Sequence, residues 1–137
     1  MATSQLNTNT ISDFLGWYEN GELILNPDFQ RRKVWSLPAK VFLIDTILRD
    51  LSIPKFYIRT IINLESRKSI REVVDGQQRL SAIIDFAQDK LILTKRAGDL
   101  EGVKYSTLSP ELKERFLKYT LACLLYTSPS PRDGLLS

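Results

Sequence analysis

The chain has no histidine and only one cysteine, Cys123, in 137 residues. Without imidazole, a Ser-His-Asp triad, a Cys-His pair, a histidine general base and imidazole-built zinc sites are excluded within this chain. A lone cysteine excludes an internal disulfide framework and fits a reducing, cytoplasmic compartment. No apolar run approaches the roughly 20 residues of a membrane span. The polar stretch from Met1 to Thr10 lacks the basic-then-apolar order of a secretion signal. Neither sign of charge dominates: 19 Lys+Arg against 16 Asp+Glu leave a net +3, which permits an anionic partner without demonstrating one.

The length suits one domain with a real core, and 43% hydrophobic with 26% charged residues is ordinary for a globular protein. Chemistry is left to Asp, Glu, Arg, Lys, Gln, Ser, Thr and Tyr, with a hard metal such as Mg²⁺ where phosphate is handled.

Periodicity predicts a short helix over Ser12–Tyr18, capped by Ser12 or Thr10 and closed by Asn20-Gly21, then a strand at Leu23–Leu25. Ser36-Leu37-Pro38 opens the clearest helix, with Val41, Ile44, Leu48 and Leu51 as its stripe and Phe42 and Ile47 widening it. Phe56–Ile62 and Ile70–Val74 read as a hairpin, followed by a helix from about Gln77 to Gln88. Leu91–Leu93 is a candidate strand, and Lys95–Gly102 a loop. Ser109-Pro110-Glu111 starts a last helix with Leu112, Phe116 and Tyr119 inward, and Thr120–Ala122 begins another strand. The sum is a small α+β domain of short strands with interspersed helices.

From Cys123 onward periodicity gives way to Ser, Pro and Gly. This stretch resembles a translated sequencing adapter; a Ser/Pro-rich linker is the other reading. The expected organisation is therefore a domain over 1–122, incomplete at its C-terminus, and a non-native or disordered tail over 123–137. The native protein is then expected to continue beyond the fragment.

Three constellations can carry chemistry. Val73-Val74-Asp75-Gly76-Gln77-Gln78-Arg79 is a strand, a turn and a helix start with polar groups at the junction. Helix N-termini bind anions through free N–H groups and the dipole, and an arginine one turn in adds a planar donor fork. The structural alternative is a capping box, Asp75 capping and Gln78 reaching back. It explains neither Gln77 nor Arg79. Gln30-Arg31-Arg32-Lys33, between Phe29 and Trp35, is either a phosphate- or nucleotide-contacting cluster with an aromatic for stacking or a solvated basic loop anchored by its aromatics. Asp45, beside the apolar stripe of its helix, is either paired with an arginine from these clusters or a surface residue; Asp85 and Asp89 read as helix-surface charges.

Pro27-Asp28-Phe29-Gln30-Arg31, Val34-Trp35, Ile53-Pro54 and Val74-Asp75-Gly76-Gln77-Gln78-Arg79-Leu80 together resemble the domain-of-unknown-function 262 family, the N-terminal domain of GmrSD-type modification-dependent restriction proteins. The likeness covers most of residues 10 to 122. It implies a ParB/sulfiredoxin-like fold and a site that binds and hydrolyses a nucleoside triphosphate with Mg²⁺, the hydrolysis gating DNA cleavage. On this resemblance Asp75, Gln77, Gln78 and Arg79 are the expected catalytic residues. Gln30, Arg31, Arg32 and Gly76 hold the nucleotide, and Asp75 meets the metal. Arg31 and Arg79 are expected to converge on one cavity. DNA is the expected partner of the full-length protein, whose C-terminal nuclease domain with its His-Asn-His-type motif is absent here; an oligomer is compatible. Two other readings compete. One is a non-catalytic DNA-binding or sensor module using the same basic cluster, and the other an inert fragment whose core is incomplete after Thr120.

Overall fold

A computed structural model describes residues 3–25, 35–93 and 102–127. The elements are β1 (Thr3–Thr10), α1 (Ile11–Glu19), β2 (Leu23–Leu25), α2 (Leu37–Leu48), β3 (Phe56–Ile62), β4 (Ser69–Asp75), α3 (Gln77–Ala87), a 3₁₀ turn (Tyr105–Thr107), α4 (Pro110–Lys118) and β5 (Thr120–Thr127). They form a small α+β domain on one five-stranded mixed sheet, ordered β1-β5-β3-β4-β2. The β1–β5 and β3–β4 pairs are antiparallel, and β3–β5 and β2–β4 parallel.

Local chemistry sets the helix starts. Thr10 and Asp13 exchange bonds of 3.1 Å in a capping box that opens α1. Ser36 and Ser109 cap α2 and α4, each followed by a proline in the first turn, where no intrahelical N–H partner is lost. Asn63 Oδ1 accepts the N–H groups of Glu65 and Ser66 and so closes the β3–β4 hairpin.

One face of the sheet is the core. Leu23, Phe56, Ile58, Val73, Leu121 and Cys123 point to it from four strands, meeting Ile11 and Phe14 of α1, Val41, Ile44 and Ile47 of α2, Leu80 and Ile83 of α3 and Phe116 of α4, all buried. Alternation sends Tyr57, Arg59, Leu124 and Tyr126 to the opposite face, where the two tyrosine rings stack at 6.3 Å and Arg59 bonds Glu72 at 2.5 Å.

Several expectations are corrected. The boundary after Ala122 falls inside β5, which runs on to Thr127 between β1 and β3 with Cys123 buried in the core. The strand starting at Thr120 therefore does not stop at Ala122, because two neighbouring strands supply its ladder. Residues 128–137 lie outside the described residues. β1 was not legible, being a polar edge strand. Leu91–Leu93 is not a strand; Leu93 exchanges backbone bonds with Val103 and Gly102 instead. Phe42 is 65% exposed, one position off the inward stripe of α2. Leu51 is exposed too, because α2 ends at Leu48 and Asp50 turns the chain at φ +61°. Asp45 pairs with Arg49, the residue that caps the C-terminus of its helix, at 2.8 Å. Asp89 is no helix-surface charge: it follows α3 at φ +62° and accepts the Ser106 N–H at 2.9 Å, which holds its carboxyl below the usual range.

Candidate functional site at the β4–α3 junction

Strand β4 ends at Asp75 and helix α3 begins at Gln77, with Gly76 alone between them. Gly76 is the N-cap residue and sits at φ +105°, a left-handed conformation that L side chains resist. Space makes the same demand. A Cβ there would overlap Phe56 Cδ2, lie 3.0 Å from Phe56 Cε2 and 3.3 Å from Arg79 Nη2. The fully buried Phe56 ring is thus a wedge under the turn.

The capping-box alternative is overturned here. No side-chain cap bond is formed at the start of α3 among the described residues. The residue in the capping position is the glycine, and Gln78 turns elsewhere, its Oε1 accepting the Trp35 N–H at 3.3 Å. Gly76, having no side chain, takes none of the first N–H donors of α3 itself. Asp75 is exposed at the strand end.

The other two polar side chains of the run hold the frame. Gln77 is 7% exposed, and its amide donates to the carbonyls of Val73 at 3.2 Å and Val74 at 2.8 Å. Those carbonyls sit where β4 departs from regular pairing, since the register shifts between Tyr57 and Ile58. Arg79 donates to the Pro54 carbonyl and, at 3.1 Å, to the Lys55 carbonyl, while its guanidinium lies 4.4 Å from the Phe56 ring centroid. Burial lowers its pKa, opposed by the nearby Asp75 carboxylate. Arg79 therefore clamps the α2–β3 loop to the start of α3.

Gln30, Arg31 and Arg32 lie outside the described residues, and with them the expected convergence of Arg31 on Arg79. The nearest described residue of the basic segment is Trp35, partly buried against the core and tied to the junction by Gln78. Phe56 and the carbonyls of Pro54 and Lys55 were missed as parts of the site. Only the glycine hinted at a close neighbour, and nothing local points to a partner 24 or 25 residues away. Among the described residues no group of three metal-ligating side chains exists. Three cavities lined by described residues lie away from the junction, of about 260 Å³ beside Tyr119 and about 380 and 520 Å³ between α1 and α4.

The site is thus a glycine-turned helix start on an α+β scaffold, framed by a glutamine and an arginine. Residues 11–130 match the GmrSD restriction endonuclease N-terminal domain, and the chain belongs to that family. No curated protein and no solved structure matches it. No helix among the described residues is long and apolar enough to cross a membrane.

Proposed function

We propose that this domain binds and hydrolyses a nucleoside triphosphate at the β4–α3 junction, and that hydrolysis gates DNA cleavage by the restriction protein it belongs to. The observation that carries this reading is the glycine-turned start of α3, a strand-to-helix junction whose left-handed N-cap brings the backbone and dipole of the helix start to the end of the sheet, an arrangement that suits phosphate oxygens. The family supports the DNA-restriction setting, and the ParB/sulfiredoxin-like relationship is part of the same proposal. Backbone N–H groups of Gln77 and Gln78 cradle phosphate. Gln78 ties Trp35 to the junction; on this reading Arg31 and Arg32, which lie outside the described residues, neutralise phosphoryl charge and Gln30 orients an oxygen. Mg²⁺ reaches such sites on the phosphates and needs only one or two protein carboxylates, which exposed Asp75 suits. Gln77 and Arg79 act by keeping this frame rigid.

One observation favours a second reading, a non-catalytic DNA-binding module: two of the four expected catalytic side chains are engaged with main-chain carbonyls. Triphosphate hydrolysis by the wild type and Asp75→Ala separates the two. Catalysis predicts a loss of about a hundredfold or more in Asp75→Ala at unchanged melting temperature. No hydrolysis by the wild type, with steeply salt-dependent DNA binding and no stabilisation by nucleotide, supports the second reading instead.

A further inference from the structure

The turn that ends α2 runs against two ordinary preferences. Asp50 follows the helix at φ +61°, and its N–H and that of Leu51 bond the Ile47 and Thr46 carbonyls at 2.9 and 3.0 Å. This is a Schellman closure, whose left-handed position normally goes to glycine. The charge is also of the wrong sign, because the C-terminal end of a helix dipole disfavours an anion. Arg115 Nη1 donates to the Leu48 carbonyl at 3.0 Å and the Tyr119 hydroxyl to the Leu51 carbonyl, so α4 and its C-cap hold the turn in place. Yet no cationic side chain forms an ion pair with Asp50 among the described residues. The carboxylate borders the cavity of about 260 Å³ beside Tyr119. Burial raises the pKa of the Tyr119 hydroxyl, and the nearby Asp50 carboxylate raises it further. Around them stand the hydroxyl side chains of Thr8, Ser52 and Thr120 and the methyl of Ala122. No positive group is among the described lining residues. One anion, a helix C-terminus and several hydroxyl acceptors suit a cation that carries N–H donors. Among the described residues no three metal-ligating side chains come together, which favours an organic ammonium over a metal ion.

We propose that this cavity is a binding site for a small primary ammonium compound that also bears a hydroxyl or similar polar group. The ammonium donates to the Asp50 carboxylate and offsets the negative end of the α2 dipole. The hydroxyls of Thr8, Ser52 and Thr120 exchange hydrogen bonds with the ligand's polar group. The ligand thus supplies the positive charge that the turn lacks. The loop carrying Asp50 and Ser52 runs on to Pro54 and Lys55, whose carbonyls Arg79 holds. The site is therefore a neighbour of the β4–α3 junction, and it stands or falls independently of what binds there.

Titrating ethanolamine into the isotope-labelled whole chain and following backbone amide resonances tests this. Saturating shifts centred on Thr8, Asp50, Ser52 and Thr120 are expected at millimolar concentration. Ethylene glycol, which has no charge, and tetramethylammonium, which has no N–H donor, are each expected to bind about tenfold more weakly or worse. Asp50→Asn should weaken ethanolamine binding about tenfold or more, yet melt at or above the wild-type temperature, since asparagine tolerates the left-handed position and takes the charge off the dipole. Ser52→Ala, a change at an exposed position, should weaken binding severalfold. Ethanolamine that shifts none of these amides overturns the proposal, as does ethanolamine that binds no better than ethylene glycol or binds Asp50→Asn as well as the wild type. A lowered melting temperature of Asp50→Asn overturns it too, assigning the carboxylate to the stability of the turn. Equal shifts from magnesium chloride at matched ionic strength overturn it in favour of a metal ion.

Discussion

Replacing Gly76 by alanine tests the geometry of the junction. The backbone at φ +105° costs an L residue about 1–2 kcal/mol. The new methyl overlaps the Phe56 ring, which is fully buried and cannot swing into solvent. Overpacking of this kind adds about 1–3 kcal/mol. The expected loss is about 2–5 kcal/mol, a large part of a small domain's stability. In thermal melting that is a fall of roughly 10 °C or more. Urea titration of Gly76→Ala, Phe56→Ala and the double variant separates the two contributions. In the Phe56→Ala background, Gly76→Ala should cost only the backbone part, about 1–2 kcal/mol. A Gly76→Ala protein within about 0.5 kcal/mol of the wild type refutes the reasoning outright. An equal penalty in both backgrounds refutes the wedge.

Arg79→Lys should destabilise by about 1–3 kcal/mol in urea titration, because an ammonium cannot reproduce a fork that spans two carbonyls and lies on a ring; wild-type stability would remove Arg79 as a clamp. Gln77→Glu should cost at least about 1–3 kcal/mol at neutral pH, since it strips the donor from two carbonyls and sets a carboxylate beside them; Gln77→Glu as stable as the wild type would contradict that. Burial raises the Cys123 thiol from about 9 to about 11. The folded state holds this proton when the unfolded chain has released it, so the stability is fully present below pH 9 and is lost as pH rises toward 11. Tyr119, also raised by burial, acts in the same direction. A thiol reagent at pH 8 should label Cys123 slowly until denaturant is added; rapid labelling of folded protein would contradict its burial.

Local signals were legible wherever a short-range rule decides the outcome. Ser36, Ser109 and Thr10 mark helix starts because capping acts within three residues. The β3–β4 hairpin could be read from alternation and its polar turn. β1 escaped because Thr3–Thr10 is polar except for Leu6, and what makes it a strand is its pairing with β5, more than a hundred residues on. The same distance hid β5: Cys123–Thr127 borders a Ser/Pro stretch in sequence but lies between two strands in space. At the site, Asp75 and Gln78 had the spacing of a capping box, yet the left-handed glycine takes the capping position. The bonds of Arg79 to the Pro54 and Lys55 carbonyls could not be read, because those partners sit on a loop 25 and 24 residues away.

The central claim is that triphosphate oxygens rest on the start of α3. Titrating an Mg²⁺-nucleotide into isotope-labelled protein and following backbone amide resonances examines it residue by residue. The largest shifts should fall on Gly76, Gln77 and Gln78, and Asp75→Ala should reduce them. No shift at these amides, or shifts confined to the cavity beside Tyr119, would contradict it.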